Sequence, residues 1–329
     1  MEPAWDQDCI TQSTADVDYM TSLGLQSNIS TAAADKLFYY QRGISSLSGA
    51  VPILVLLHGY PQTWRHVIQR LPSDIPIFVP DLPGYGRSAP LSVPNNKHNA
   101  GQAILQTLRS IIPHKGIHPI ILAGHDRSAR ICHRLSVDNQ EPTGLPIKGT
   151  ILLDIIPTIE QWSRMTNPGS IIRSFHWSLL ANVEVATSMI KSQGGDVFTK
   201  MLFSRWAGRN PAGDATLQEN DAVNVYANSF KYESVIRAAC EDYRAGAQED
   251  IQRQEQDQKD GRKLDVDTLL LYSAAYLGSS CDVKQVWEAW MGSGKLEGQA
   301  FEEGVGHFIA EEAPAAATLA IVSFYRSHY

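Results

Sequence analysis

The chain has few cysteines and a shortage of positive charge. Only four cysteines occur in 329 residues, and no two of them form a CxxC or CxxH pair. A disulfide framework or a cysteine-based metal site is therefore not expected, and a reducing compartment is the natural setting. Lys and Arg number 28 against 35 Asp and Glu, which gives a net charge of -7. Nucleic-acid binding needs a basic surface, so the composition argues against that class of partner.

Long apolar runs are also missing. No run reaches the roughly 18 residues that a membrane-spanning helix needs. The N-terminus is polar and acidic, unlike a secretory leader with a basic start and an apolar middle. We therefore expect a cytoplasmic protein without a membrane anchor. Apolar residues nevertheless make up 43% of the chain and charged residues only 19%, which is enough for a large buried core.

Short continuous apolar runs, closed by glycine or proline, predict buried strands of a parallel sheet. Such runs occupy residues 52–57, 75–81, 119–124, 148–154 and 267–272. Helical patterns lie near residues 100–112, directly after 126, and at 313–327. Strands that alternate with helices predict an α/β fold with a mostly parallel, doubly wound sheet.

The pattern changes after the fourth predicted strand, where helix-like periodicity replaces strand signals. We expect residues 157–250 to form a helical cap inserted into an α/β core of residues 35–156 and 251–329. Residues 1–34 are assigned to an N-terminal extension. The charged, Gln-rich stretch 248–264 is expected to be a solvated helix face or loop that returns the chain to the sheet.

The segment 120–130 predicts a strand, a sharp turn and a helix, which together expose one side chain above the sheet. Asp126 stands where a serine is usual, and no GxSxG motif occurs elsewhere. A carboxylate suits displacement of a leaving group at saturated carbon, which leaves an ester that activated water hydrolyses. The backbone amides of Tyr60 and Arg127 are the predicted donors to the resulting oxyanion. The competing interpretation is that Asp126 only caps the helix.

Two arginines share one face in the first turn of that predicted helix, Arg127 and Arg130. Positive charge at this end opposes the helix dipole, so stability alone would not favour it. We hypothesise that both arginines bind a substrate carboxylate through forked hydrogen bonds. The alternative is an ordinary pair of arginines bonded to the insertion.

A late histidine completes the candidate chemistry. His307 lies on a glycine-bearing loop and is the predicted general base. Its orienting acid is either Asp154, at the end of the fourth predicted strand, or Asp282. The alternatives are an ordinary loop histidine and an aspartate that serves only a turn.

The chain resembles an α/β-hydrolase with an aspartate nucleophile. It most resembles the fluoroacetate and haloacetate dehalogenases, and the epoxide hydrolases are close relatives of these. The resemblance begins near residue 35 and extends over nearly all of the remaining chain. It is carried by residues 58–64, 81–88, 120–130, 153–158, 176–177, 240–246 and 306–308.

The resemblance implies that Asp126 attacks the carbon bearing the halogen and that Arg127 and Arg130 hold the substrate carboxylate. It favours Asp154 over Asp282 as the partner of His307. A small-molecule substrate and a homodimer are also implied. No cofactor is expected, because the nucleophile, the base and the oxyanion donors are all protein groups, and no metal site is expected.

The resemblance further implies that His176, Trp177 and Tyr243 donate hydrogen bonds to the departing halide. Such donors suit fluoride, which is a poor leaving group without them. Trp206 is a candidate for the pocket wall. The alternatives are a core role for Trp177 and Trp206 and an ordinary cap histidine at His176.

Several positions depart from the family patterns. Ser128 stands where a glycine is common, and the loop 272–280 lacks the usual Trp-Gly. Epoxide hydrolases usually have tryptophan at the position of Arg127 and use two cap tyrosines, for which Tyr226 and Tyr232 are the candidates here. We therefore predict a hydrolase of small 2-haloacids, with an epoxide hydrolase as the second hypothesis and a non-catalytic receptor for a small acid as the third.

Overall fold

A computed structural model describes residues 15–30, 36–47, 51–60, 64–113, 116–139 and 144–329. Most of the predicted N-terminal extension, including Cys9, lies outside the described residues. The same is true of Pro61, Gln62 and Thr63, which belong to one of the segments that carry the family resemblance.

One eight-stranded sheet organises the described part of the chain. The strands are β1 Gln26–Ile29, β2 Phe38–Arg42, β3 Ile53–Leu57, β4 Ile77–Pro80, β5 Ile120–His125, β6 Ile147–Leu153, β7 Asp267–Ser273 and β8 Leu296–Phe301. Their spatial order is β1-β2-β4-β3-β5-β6-β7-β8. The pairs β1/β2 and β2/β4 are antiparallel, and all the others are parallel. The mostly parallel, doubly wound sheet predicted from the apolar runs is confirmed.

The central strands are apolar throughout because both faces of the sheet are covered. In β3 every residue is buried. Val55 and Leu57 pack into the hydrophobic core on one face, whereas Leu54 and Leu56 pack into the core on the other. Side chains alternate across a strand, so one apolar run serves two cores at once.

The edges of the sheet went unpredicted. The two outermost strands, β1 and β8, are largely exposed and carry polar side chains, so they lack the apolar runs that mark the central strands. The sheet therefore begins at Gln26, inside the segment that the sequence assigned to an extension. The helix Ala15–Ser22, here α1, precedes it.

Helices cover both faces of the sheet and make up the insertion, or cap, within the long segment between β6 and β7. On the core, before the insertion, they are α2 Arg65–Ile68, α3 Lys97–Ile111 and α4 Arg127–Val137. In the insertion they are α5 Thr158–Ser163, α6 Pro168–Arg173, α7 Phe175–Ala181, α8 Val183–Gln193, α9 Gly195–Trp206, α10 Pro211–Gln218, α11 Ala222–Asn228 and α12 Glu233–Ala247. After it come α13 Glu249–Asp260, α14 Val283–Glu288, α15 Ile309–Glu312 and α16 Pro314–Arg326.

The Gln-rich stretch is a helix, α13, with one face turned to the core rather than to water. Its buried residues are Asp250, Gln254 and Asp257. Asp257 pairs with Arg134 on α4. This ion pair fixes the end of the insertion against the helix that follows the predicted nucleophile. Within the described residues, no helix is both long and apolar enough to cross a bilayer.

Candidate active site

Asp126 occupies a strained turn between β5 and α4. Its φ of 50° and ψ of -115° are outside the usual regions for a residue with a side chain. Its carboxylate makes no capping hydrogen bond to α4, which argues against the helix-cap interpretation. A Cβ on Gly124 would lie 2.7 Å from the backbone nitrogen of Ala129, so the close approach of strand and helix requires glycine there. Strain of this kind is typical of functional turns.

Ser128 ties this turn to the neighbouring strand. Its hydroxyl donates a 2.6 Å hydrogen bond to the carbonyl oxygen of Leu57, at the end of β3, and accepts one of 3.1 Å from the backbone N–H of His125. The departure from the usual glycine therefore supplies a cross-link between two strand ends, both of which carry site residues.

One of the two predicted oxyanion donors faces the carboxylate. The backbone N–H of Tyr60 donates to Oδ2 of Asp126 at 3.3 Å. His58 holds this loop, because its Nδ1 lies 2.8 Å from the carbonyl of Gly59 and its Nε2 accepts a 2.9 Å bond from the N–H of Leu82. Burial lowers the pKa of His58 to about 4, so the ring is neutral and has the one donor and one acceptor that these contacts need.

The predicted base and acid come together. Nδ1 of His307 lies 2.6 Å from Oδ2 of Asp154, which directly follows β6 and has a positive φ of 53°. The other oxygen of Asp154 accepts a 2.9 Å bond from the N–H of Ser273, at the end of β7. Asp282 instead caps α14, where it accepts the N–H of Gln285 at 3.0 Å. The geometry therefore selects Asp154 as the partner of His307.

The charges of the site support one another. Burial works against ionisation of Asp126, yet the charges of His307 and Arg127 hold its pKa below the ordinary value. Burial would lower the pKa of His307, but the hydrogen bond and charge of Asp154 outweigh it and raise that pKa. An ionised carboxylate beside a basic imidazole is the arrangement that attack by a carboxylate and activation of water require.

Arg130 places a guanidinium at the same site. One of its nitrogens, Nη1, donates to the carbonyl of Ile156 at 2.8 Å and lies 3.2 Å from Oγ1 of Thr158. The guanidinium lies 4.6 Å from the ring centre of Trp177. Burial and the charge of Arg127 lower the pKa of Arg130 to about 10. Within the described chain no carboxylate forms an ion pair with it, so its charge is available to a ligand.

Arg127 has a different environment from the one expected. Its Nε lies 2.6 Å from Oδ2 of Asp242, on cap helix α12, and its Nη2 donates to the carbonyl of that residue at 2.9 Å. Lys97 pairs with the other oxygen of Asp242. The guanidinium is thus neutralised by the cap, as in the alternative of an arginine bonded to the insertion, and Arg127 is not among the residues that line the cavity described next.

A cavity of about 770 Å³ opens at Asp126 between core and cap. Its inner end is formed by residues predicted for catalysis and for the pocket, which are Asp126, Arg130, Asp154, His176, Trp177, Trp206 and His307. Tyr243 does not line it. The Tyr243 side chain is buried, and the guanidinium of Arg127 lies over its ring, 3.9 Å from the ring centre.

Two ring nitrogens at the inner end lack a hydrogen-bond partner among the described residues, Nδ1 of His176 and Nε1 of Trp206. The two rings lie 4.6 Å apart, centre to centre. Burial lowers the pKa of His176 to about 3, so it is a neutral ring with one N–H. Buried polar groups are normally paired, and both of these residues line the cavity, so the two rings are candidates for contact with a ligand.

Tyr276 is a site residue that the sequence did not single out. It follows β7, lines the cavity, and its ring centre lies 5.2 Å from that of His307. The two candidates for the cap tyrosines of an epoxide hydrolase, Tyr226 and Tyr232, lie outside the cavity. Tyr226 donates to Oε2 of Glu311 at 3.1 Å. The only indication of Tyr276 in the sequence was that loop 272–280, in which it lies, departs from the family pattern.

The described residues include no cluster of three or more His, Cys, Asp or Glu side chains that is arranged to hold a metal ion. The described cysteines, Cys132, Cys240 and Cys281, are unpaired thiols. Burial raises the pKa of the Cys132 and Cys240 thiols, so both stay protonated at neutral pH.

Comparisons of the sequence and of the structure with known proteins point to the same family. The model of the alpha/beta hydrolase family matches residues 54–321. A fluoroacetate dehalogenase from Burkholderia sp. is 26% identical over 277 residues, or 82% of this chain and 85% of the relative. A soluble epoxide hydrolase from Corynebacterium sp. (strain C12) is 26% identical over 265 residues, or 79% and 85%. A solved Pseudomonas aeruginosa structure, provisionally described as an epoxide hydrolase, matches with a TM-score of 0.79 at 27% identity and covers 93% of this chain and 96% of its own.

The chain belongs to the alpha/beta hydrolase family. It is a hydrolase with the α/β-hydrolase fold, and the predicted resemblance to dehalogenases and epoxide hydrolases is confirmed.

Proposed function

We propose that this hydrolase is a dehalogenase of 2-halo carboxylic acids. The observation that carries the proposal is the guanidinium of Arg130, buried at the cavity wall beside Asp126 without a carboxylate partner among the described residues. A buried charge without a partner is costly. A substrate carboxylate supplies that partner, and it orients the halogen-bearing carbon next to the nucleophile.

In the first step an oxygen of Asp126 attacks the carbon that bears the halogen. The new carbon–oxygen bond forms as the carbon–halogen bond breaks, and the halide leaves with the bonding electrons. Because the carboxylate stays ionised beside His307 and Arg127, the nucleophile is ready at neutral pH. The product of this step is an ester between Asp126 and the 2-carbon of the acid.

Departure of the halide needs hydrogen-bond donors, most of all for fluoride. His176 and Trp206 offer N–H groups that are otherwise unpaired among the described residues, and the indole of Trp177 lines the same end of the cavity. Preorganised donors of this kind stabilise the charge that develops in a transition state, and they contribute strongly to enzymatic rate enhancement. We assign the leaving-group site to these three side chains.

In the second step water attacks the carbonyl carbon of the Asp126 ester. His307 takes the proton from that water, and Asp154 stabilises the imidazolium that forms. The carbonyl becomes an oxyanion, which accepts a hydrogen bond from the N–H of Tyr60. Collapse releases the 2-hydroxy acid and returns the carboxylate. Overall the acid and water yield the hydroxy acid, a halide ion and a proton.

An epoxide hydrolase is the second candidate, and Tyr276 favours it. Its hydroxyl forms no hydrogen bond with any described residue, and its ring lies beside His307 at the cavity. A tyrosine there is a suitable acid for the oxygen of an epoxide that Asp126 opens. This candidate does not explain the unpaired charge of Arg130.

Trapping of the ester tests the proposal. His307→Asn removes the base, so the second step stalls and the ester accumulates. The variant is incubated separately with fluoroacetate, chloroacetate and a panel of small epoxides, and intact mass is measured. Addition of a carboxymethyl group, mapped to Asp126 by peptide sequencing, is the expected result.

The control is the double variant Asp126→Asn/His307→Asn, which keeps the cavity but lacks the nucleophile and should gain no mass. An adduct from epoxides alone would transfer the assignment to epoxide opening. Folded protein that gains no mass from any of these compounds would overturn both candidates.

A further inference from the structure

The cavity is much larger than a haloacetate needs. A volume of about 770 Å³ is in the range of pockets that enclose extended organic ligands. A haloacetate is a two-carbon acid, and the inner end of the cavity alone supplies its nucleophile, carboxylate partner and halide donors. The outer part of the cavity is therefore available to the remainder of a longer substrate.

The outer part is positively charged. Three further arginines line it, Arg164, Arg173 and Arg205. The acidic residues among the lining side chains are Asp126 and Asp154, and both belong to the catalytic end. An excess of positive charge in a concave site attracts an anion and raises its local concentration.

The guanidinium groups of these arginines are incompletely neutralised. Nη2 of Arg205 donates to the carbonyl of Ile172 at 2.9 Å, and its guanidinium lies 5.1 Å from the ring centre of Phe175. These contacts hold the group in place without cancelling its charge. The same charge adds to the burial that lowers the pKa of His176, which places Arg205 near the inner site.

The other two arginines differ in how they are held. Arg164 faces Glu160 at 3.8 Å, a distance at the limit of an ion pair, and its Nε is buried without a hydrogen-bond partner among the described residues. The guanidinium of the exposed Arg173 forms no ion pair and no hydrogen bond with the described residues. At least two of the three charges are thus free to bind a ligand.

Hydroxyl groups also line the outer part of the cavity. Those of Ser163, Ser170, Ser279 and Ser280 donate to backbone carbonyls of neighbouring residues. The hydroxyls of Thr166 and Ser174 form no hydrogen bond with the described residues, so together with the guanidinium groups they can donate to a carboxylate. An apolar wall would be expected if the substrate continued as a hydrocarbon chain.

We propose that the outer cavity is a second anion subsite and that the substrate is an extended acid with two carboxylates. One carboxylate is held by Arg130 at the reacting end, and the other is held by Arg205, near the inner site, and by Arg173, with Arg164 lining the same cavity. The inference rests on the proposed function for the inner end, but it concerns binding and can be tested without turnover.

The test compares unreactive dicarboxylates with monocarboxylates of the same chain length. Saturated acids of about five to ten carbons fit a cavity of this class, and isothermal titration calorimetry on the wild-type protein gives their affinities. For at least one length we expect the dicarboxylate to bind roughly tenfold or more tightly than its matched monocarboxylate, because charge-assisted bonds form at both ends.

Variants assign that preference to the outer arginines. Arg173→Met/Arg205→Met should abolish the preference for dicarboxylates, and it should weaken monocarboxylate binding far less than dicarboxylate binding. Arg209→Met removes a positive charge from an exposed cap residue outside the cavity and should change neither affinity. Thermal unfolding of each variant establishes that it is folded.

The outcomes separate this inference from the proposed function. Equal affinity of paired acids at every length, or a preference that survives in the double variant, overturns the second subsite even if chloroacetate esterifies Asp126. A preference that depends on Arg173 and Arg205 supports the subsite, and it does so even if ester trapping fails and the assignment as a dehalogenase is lost.

Discussion

The backbone N–H of His307 donates a 2.9 Å hydrogen bond to the carbonyl oxygen of Trp206, at the end of cap helix α9. The loop that carries His307, the proposed base, is thereby joined to a wall of the cavity. Glu312 reinforces this connection: Oε2 accepts the N–H groups of Gly208 and Gly306, each at 2.8 Å, and Oε1 accepts that of Phe308 at 3.0 Å. One buried carboxylate thus positions the loop of His307 relative to the cap.

Glu312 is therefore predicted to be a positioning residue. In Glu312→Gln an NH₂ group replaces one of the oxygens and leaves at least one buried N–H without an acceptor. We expect a loss of stability of about 1–3 kcal/mol, together with slower hydrolysis of the ester but unchanged formation of it. Chemical denaturation and single-turnover kinetics measure the two effects. Glu302→Gln, an exposed carboxylate on the same loop, is the control. Wild-type stability and ester hydrolysis in Glu312→Gln would contradict this role.

The pKa of His307 is predicted to depend on Asp126. After burial and Asp154, the negative charge of Asp126 is a further influence, and it raises this pKa. Asp126→Asn should therefore lower the pKa of His307, as should Asp154→Asn, which removes both a charge and a hydrogen bond. NMR titration of the imidazole protons measures the change, with His307→Asn used to assign the signal. A midpoint that is unchanged in both variants would be incompatible with the geometry.

The same coupling predicts the pH dependence of the second step. Only a neutral His307 accepts a proton from water, so hydrolysis of the ester should fall as the pH drops through the pKa of that residue. Esterification removes the charge of Asp126 and with it one cause of the raised pKa. We therefore expect the acid limb of single-turnover ester hydrolysis to lie at lower pH than the titration of His307 in the free enzyme. Coincidence of the two midpoints would show that Asp126 and His307 are not electrostatically coupled.

Replacement of Arg130 is predicted to reduce activity, whereas replacement of Arg127 is predicted to reduce stability. Arg130→Met should reduce kcat/KM for chloroacetate by about 10- to 100-fold, because one charge-assisted interaction with the substrate is lost. Activity toward chloroacetamide, which is uncharged, should change far less. Arg127→Met should instead destabilise the fold by about 3 kcal/mol, since it removes a partner of the buried Asp242. Steady-state kinetics and urea denaturation distinguish these effects, and equal losses on both substrates in Arg130→Met would reject a carboxylate-binding role.

The sequence allowed prediction of the elements whose signals are local. The apolar runs predicted the central strands, and the residues that end them, Asp126 after β5 and Asp154 after β6, are where the sheet places its reactive groups. The exposed strand β8 has no apolar pattern and was missed. That Arg127 bonds to the insertion was foreseen only as an alternative, and its partner Asp242 was not predictable, because the contact joins residues 115 positions apart and depends on how the cap packs.

The sequence also did not reveal which residues surround the cavity, because these positions too depend on long-range contacts. Glu312 lies in a short helix near the C-terminus and resembles an ordinary surface acid until Gly208 of the cap is brought against it. Tyr276 lies in a loop whose departure from the family pattern was visible, although its place beside His307 was not. Long-range packing of cap on core decides these positions, and no periodicity in the chain encodes it.

His176 provides the most direct test of how the leaving group is stabilised. Its neutral ring has a buried Nδ1 with no hydrogen-bond partner among the described residues. His176→Leu removes the donor at similar size, whereas His176→Asn retains an N–H near the same position. We expect His176→Leu to slow ester formation from fluoroacetate by about 10- to 100-fold and to slow it much less from bromoacetate, since bromide leaves readily without help. His176→Asn should recover a substantial part of the fluoroacetate rate.

Rapid-quench measurement of ester formation in a His307→Asn background isolates this step from the hydrolysis that follows. The ratio of the fluoroacetate to the bromoacetate rate is the decisive quantity, because a variant that only loosened the cavity would slow both substrates alike. If His176→Leu and His176→Asn reduce both rates by the same factor, His176 shapes the cavity and does not bind the halide. Stabilisation of the leaving group would then rest on the indole groups of Trp177 and Trp206, which line the same end.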